Sequence, residues 1–201
     1  MIGVILRNDV SQEGHKINLL YDNFLNIFKY FNIPIIGIPL TNTIKQNKKI
    51  ISKCDGIIGQ GGDDYTIDDL LLIKYIYDND IPFLGICLSM QAMGVLFDSK
   101  IEDVKEHKSY DKYVHDVLIN KDSLLYEILN LDTIKVNSRH KSCITIPSIL
   151  VSAKSDCIEA IEDKSKTFFM GVQWHPESLF LNDENSFKIF KYFIDKCGGE
   201  K

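Results

Sequence analysis

The 201-residue chain is 45% hydrophobic and 25% charged, a soluble globular composition with enough length for one sizeable α/β core. Lys plus Arg number 23 against 28 Asp plus Glu, and this net charge of −5 argues against a dedicated nucleic-acid binder. Five cysteines with no CxxC pair speak against a disulfide framework or a structural zinc site and fit a reducing, cytoplasmic setting. No apolar run approaches membrane-spanning length, the start MIGVILRNDV lacks the form of a signal peptide, and the tail CGGEK lacks that of a prenylation signal.

Residues 2–6 predict a first strand. Residues 16–31 then carry Ile17, Leu20, Tyr21, Phe24, Ile27, Phe28 and Phe31 at helical spacing and predict a helix. Residues 33–38 predict a second strand, and Gly56–Gly59 a third that runs into the loop GQGGDD. Residues 66–78 predict a helix with Asp68 and Asp69 at its positive end. The apolar run Phe83-Leu84-Gly85-Ile86 suits a central parallel strand, and Met90, Met93 and Phe97 mark the buried face of the helix that follows. The second half offers short strand candidates in KYVHDVLI, TIKVN, ILVSAKS and CIEAIED, relieved by the helix-like SLLYEILN. TFFMGVQW is a strong strand, and residues 184–196 predict a closing helix. Strands alternating with helices predict a doubly wound, mostly parallel sheet flanked by helices, as a single domain over residues 1–201.

Cys87 falls where a strand gives way at once to a helix, in Gly85-Ile86-Cys87-Leu88-Ser89. Such a turn lifts a nucleophile above the sheet edge, and the helix N-terminus favours a thiolate. The alternative is a space-filling core cysteine. After the last strand comes Gln173-Trp174-His175-Pro176-Glu177, which sets an imidazole at the sheet's C-terminal edge and a carboxylate two residues on. Cys87, His175 and Glu177 can therefore serve as nucleophile, proton shuttle and orienter, although a lone HxE is common in structural roles. Gly59-Gln60-Gly61-Gly62 lacks the Lys-Ser/Thr of a phosphate loop, and Asp64 stands where a dinucleotide fingerprint needs its third glycine. It reads either as a conformational turn or as an oxyanion hole pairing the N–H of Gly62 with that of Leu88. His15, His107 and His115 show no partner pattern, so neither a metal site nor a cofactor is expected.

Taken in order, GQGG, GICLSMQ and GVQWHPES resemble the class I glutamine amidotransferases and the related γ-glutamyl hydrolases, over nearly the whole chain. HDVLINKDSLLYEIL, VNSRH and IEAIED are similar to the γ-glutamyl-γ-aminobutyrate hydrolase branch. The resemblance implies a flavodoxin-like fold, a glutamyl thioester on Cys87, and a glutamyl group held by Gln91 and the backbone around Ser138–His140. Two features depart from it. Ser89 stands where many amidotransferases have glycine, and Arg139-His140-Lys141 replaces an uncharged stretch, which points to an anionic, nucleotide-linked leaving group. The resemblance leaves three readings: a stand-alone hydrolase of a small γ-glutamyl substrate, a glutaminase subunit feeding ammonia to a separate synthetase, or a non-catalytic redox-sensing or binding protein. A homo-oligomer is open; nucleic-acid and membrane partners are not expected.

Overall fold

The computed structural model describes residues 1–104 and 107–198. The first half runs β1 (Ile2–Ile5), β2 (Arg7–Val10), β3 (Lys16–Leu19), α1 (Asp22–Tyr30), β4 (Ile35–Ile38), α2 (Ile44–Ile51), β5 (Gly56–Gly59), α3 (Ile67–Asp78), β6 (Phe83–Ile86) and α4 (Leu88–Leu96). The second half adds β7 (Lys100–Asp103), β8 (His115–Ile119), α5 (Leu124–Leu129), β9 (Thr133–Val136), β10 (Ser142–Ile146), β11 (Leu150–Lys154), β12 (Ile158–Glu162), β13 (Phe169–Val172) and α6 (Glu184–Lys196). No helix among the described residues is long and apolar enough to cross a membrane.

The sheet order β4-β1-β5-β6-β13 is parallel throughout and matches the flavodoxin-like winding. Beyond β13 the sheet continues antiparallel through β12, β11, β8 and β9, with β10 and β7 branching from β12. Side-chain alternation along the parallel strands builds both faces of the core. Val4, Ile58, Leu84 and Met170 pack under α1 and α6 with Phe24, Phe28, Phe190 and Phe193. Ile5, Ile57, Phe83 and Phe169 face the other way, against Leu72, Ile73, Ile76, Met90 and Met93 of α3 and α4. Burial of each such side chain stabilises the fold by about 1.5–3 kcal/mol.

The expected helix over residues 16–31 is shorter. Only Asp22–Tyr30 is helical, and residues 7–19 form the β2–β3 hairpin, closed where Gly14 takes φ +83°. The deciding contact is remote: the Gln60 amide donates to the carbonyls of Ile5 (3.0 Å) and Leu19 (2.9 Å), fixing the hairpin's base in extended form. Helix α2, capped by Thr43 with Gln46, and the strands β7 and β10 were not expected. β7 and β10 are short and partly exposed, without a full apolar period to betray them.

Candidate active site

The register Gly59↔Gly85 and Val172↔Ile86 brings the C-terminal ends of β5, β6 and β13 level. Cys87 follows directly, with its N–H donating to Val172 O at 2.8 Å. Its backbone sits at φ +50°, ψ −103°, a strained turn for a residue with a Cβ, and α4 starts at the next residue. The N–H of Leu88, first in α4, therefore has no carbonyl to meet within the helix and stands beside the thiol. The Gln173 side chain donates to Cys87 Sγ at 3.5 Å and accepts from Gln91 Nε2 at 3.1 Å.

His175 and Glu177 meet as the spacing suggests. Pro176 opens a one-turn 3-10 helix, and Glu177 Oε1 lies 2.7 Å from His175 Nδ1. Glu177 is buried, and its Oε2 has no partner among the described residues. Burial would lower the His175 pKa, but the Glu177 charge and hydrogen bonding with Cys87 and Glu177 outweigh it and push it up to about 10. Both effects favour the cationic form of the imidazole beside the thiol, a pairing able to activate a cysteine nucleophile. Asn137 clamps the backbone beneath it: Oδ1 accepts from His175 N and Nδ2 donates to His175 O, both at 2.8 Å.

The glycine loop belongs to the same edge. A Cβ on Gly61 would lie 2.8 Å from His175 Cε1 and 3.5 Å from Cys87 Cβ, so the absence of a side chain lets the loop close over the pair. A Cβ on Gly62 would lie 3.0 Å from Leu88 Cδ2 and 3.1 Å from Arg7 Cδ. Buried Arg7 fastens the loop from below, donating to Gln60 O through Nη2 (2.7 Å) and Nε (3.1 Å) and to Ser89 Oγ (2.6 Å), and pairing with Asp69. Ser89 is therefore more than a tolerated replacement for glycine. Asp69 does not act by helix dipole alone, since it also completes a capping box with Thr66.

Cys87, Gly61, Gly62, His175, Glu177 and Arg139 line one cavity of about 270 Å3, joined by Tyr21, Asn23, Lys108 and Tyr110. Of the residues expected to hold substrate, only Arg139 lines it. Gln91 turns inward, donating to Ser142 O at 2.7 Å and to Gln173. The Ser138 hydroxyl donates to His107 O, and its carbonyl accepts from Ser109 N. His140 is buried away from the cavity, and burial lowers its pKa to about 4. Lys141 is exposed and stands off. Lys108, bridged to Arg139 as an antiparallel pair, takes the place foreseen for Lys141. Arg7, Asn137, Gln173 and Lys108 escaped sequence reasoning; VNSRH and GVQWHPES contained two of them without revealing what they touch.

Two of the histidines that show no partner pattern in the sequence, His107 and His115, find partners in space. His107 packs against His115 and His140, with ring centroids 5.5 and 4.9 Å apart. His115 lies 3.0 Å from Glu159, and His107 3.1 Å from Asp156.

Residues 66–177 match the model of the family Peptidase C26, a span that holds Cys87, His175 and Glu177. The chain is 30% identical over 201 residues to a subunit of the glutamine-hydrolysing GMP synthase of Methanosphaera stadtmanae, covering 98% of each. It is also 30% identical over 139 residues to a putative glutamine amidotransferase of Schizosaccharomyces pombe, with 62% of this chain aligned, and it spans about half of that protein, 54%. In three dimensions it is similar to a putative GMP synthase subunit of Thermoplasma acidophilum, with a TM-score of 0.74 at 19% identity, covering 98% of this chain and 94% of the other. The glutaminase domain of Trypanosoma brucei CTP synthase, with bound acivicin, gives a TM-score of 0.75 at 17% identity, covering 100% and 94%. The chain belongs to the Peptidase C26 family of amide-hydrolysing enzymes, with the class I glutamine amidotransferase-like fold.

Proposed function

We propose that this protein hydrolyses a γ-glutamyl amide through a glutamyl thioester on Cys87. The observation that carries this reading is the strained Cys87 turn beside an imidazole held 2.7 Å from Glu177, all three lining a cavity of about 270 Å3. The thiolate attacks the δ-carbonyl and forms a C–S bond, while the carbonyl oxygen takes the negative charge toward the N–H groups of Leu88 and Gly62. Collapse breaks the C–N bond, and the leaving nitrogen departs with the proton from His175. Water then loses a proton to His175 as it attacks the thioester, releasing glutamate and restoring the thiolate. Glu177 keeps the ring oriented and its cation stabilised throughout.

The leaving group separates two substrates. Lys108 and Arg139 at the cavity favour an anionic one, and the narrower candidate is γ-glutamyl-CDP-amidate, split into glutamate and cytidine diphosphoramidate for capsular polysaccharide modification. The full-length similarity to the Methanosphaera GMP synthase subunit favours the other, glutamine, with ammonia passed to a separate synthetase.

Glutamate release should be measured from glutamine, a neutral γ-glutamyl anilide and a γ-glutamyl nucleotide phosphoramidate. Cys87→Ala should abolish release from all three, and rapid quench of the native chain should trap a glutamyl adduct on the Cys87 peptide. Full turnover by Cys87→Ala would end the thioester reading. Charge-assisted contacts to a phosphate are worth about 1.5–3 kcal/mol, so Arg139→Ala or Lys108→Ala should cost the phosphoramidate about ten- to a hundredfold in kcat/KM and spare the anilide. Equal losses on both would move these cations to the glutamyl carboxylate. Activity on glutamine that rises only with a synthetase added would favour the subunit reading.

A further inference from the structure

Behind the catalytic edge lies a second cluster that the proposed hydrolysis does not use. His115 comes from β8 and Glu159 from β12, Cys157 lies just before β12, and His107 precedes the Lys108–Arg139 bridge. The donor atoms of His107, His115 and Glu159 all lie within 4.8 Å of one another, as do those of His107, Asp156 and Cys157. His107 Nε2 is 3.8 Å from Cys157 Sγ, and His115 Nε2 is 3.0 Å from Glu159 Oε1. We propose that His107, His115 and Glu159, the group with both imidazoles, form a binding site for a divalent transition-metal ion of the zinc class.

Two features favour an ion over a simple polar network. Glu159 is fully buried, yet only one of its carboxylate oxygens is partnered. His107 Nδ1 is also buried without a hydrogen-bond partner. Buried polar atoms left unsatisfied are costly and uncommon in a native fold, and two on the proposed ligands point to a missing partner. The donor set is the second feature. Two imidazoles and a carboxylate suit zinc and its neighbours, whereas calcium and magnesium prefer all-oxygen cages. Ligands about 2.0–2.3 Å from a tetrahedral ion stand roughly 3.3–3.8 Å apart, and the three donor atoms already lie within 4.8 Å of one another.

The consequence is structural. Glu159 O accepts from Gln173 N at 2.7 Å, which puts the cluster one strand behind the Cys87 edge. A bound ion would fasten His107, and with it the neighbouring cavity-lining Lys108 and Tyr110, to the antiparallel half of the sheet. Sequence spacing hid the set because its members come from segments up to 52 residues apart, counted from His107 to Glu159.

The test uses the reduced, tag-free full chain. Zinc titration against a chromophoric chelator should show about one tightly bound equivalent per chain, and zinc should raise the Tm of chelator-treated protein. Cobalt(II) in the native chain should give the visible bands of a four-coordinate ion. His115→Ala or Glu159→Gln should weaken zinc binding by about tenfold or more. Cys87→Ala should bind zinc as the native chain does. Failure of the native chain to take up zinc or cobalt would overturn the proposal, and that measurement needs no variant to fold. Undiminished binding in a folded Glu159→Gln variant, or loss of binding in Cys87→Ala, would overturn it too.

Discussion

Arg7 and Asp69 form a buried ion pair beneath the glycine loop, with their side chains only 7% and 1% exposed. Neither residue touches the cavity's reacting groups, yet Arg7 is what connects β2 to Gln60 and Ser89, and so to the loop over Cys87. Asp69→Ala would strand the guanidinium in the core and remove the α3 capping box. The expected cost is about 3–5 kcal/mol, read as a lower denaturant midpoint at unchanged m-value. Arg7→Lys should also destabilise, because an ammonium cannot reproduce the forked contacts. A shift within experimental error for both would show that the pair contributes nothing net.

Asn137 should behave as a positioning residue for His175. Asn137→Ala removes both backbone contacts, and the freed imidazole should lower kcat/KM about ten- to a hundredfold, mostly in kcat. Asn137→Asp keeps an acceptor for His175 N and loses the donor to His175 O, so it should fall between. Parallel losses of thermal stability and activity across the two variants would reduce Asn137 to a structural role.

The His175 pKa sets a pH dependence with a definite sign. Its folded value, pushed up to about 10, lies above the ordinary 6.5, so the folded state holds the proton more tightly. The resulting stability is fully present below about pH 6.5, shrinks above it and is lost as pH rises through about 10. Glu177→Gln should flatten this decline and draw the alkaline limb of kcat/KM toward neutrality. An unchanged limb in Glu177→Gln would mean that another group titrates there.

Gly59 and Ser89 should couple. A Cβ on Gly59 would lie 2.4 Å from Ser89 Oγ and 2.6 Å from its Cβ, with Phe83 Cζ at 2.9 Å. Gly59→Ala should therefore cost about 1–3 kcal/mol by overpacking. Ser89→Gly removes the two nearest clashes, so the double variant should be more stable than the sum of the single losses implies. Strict additivity would show that Phe83, not Ser89, sets the limit at this position.

Some of this molecule was determined by neighbours in the chain. The parallel half could be anticipated because short apolar strands alternate with periodic helices, and each signal lies within a dozen residues. The Cys87 turn and the His175–Glu177 contact are equally local, set by a strand–helix junction and by two residues either side of Pro176. What the tertiary structure alone decided are the contacts that depend on strand order. Asp69 meets Arg7 across 62 positions, and Asn137 meets His175 across 38. The same dependence turned residues 16–19 from an expected helix into a strand, because the Gln60 amide reaches across to Leu19 O. It placed Lys108 rather than Lys141 beside Arg139, and it gathered His107, His115 and Glu159 from separate strands and loops. Periodicity reports which face a side chain takes; only the winding of the sheet decides which other side chain it finds there.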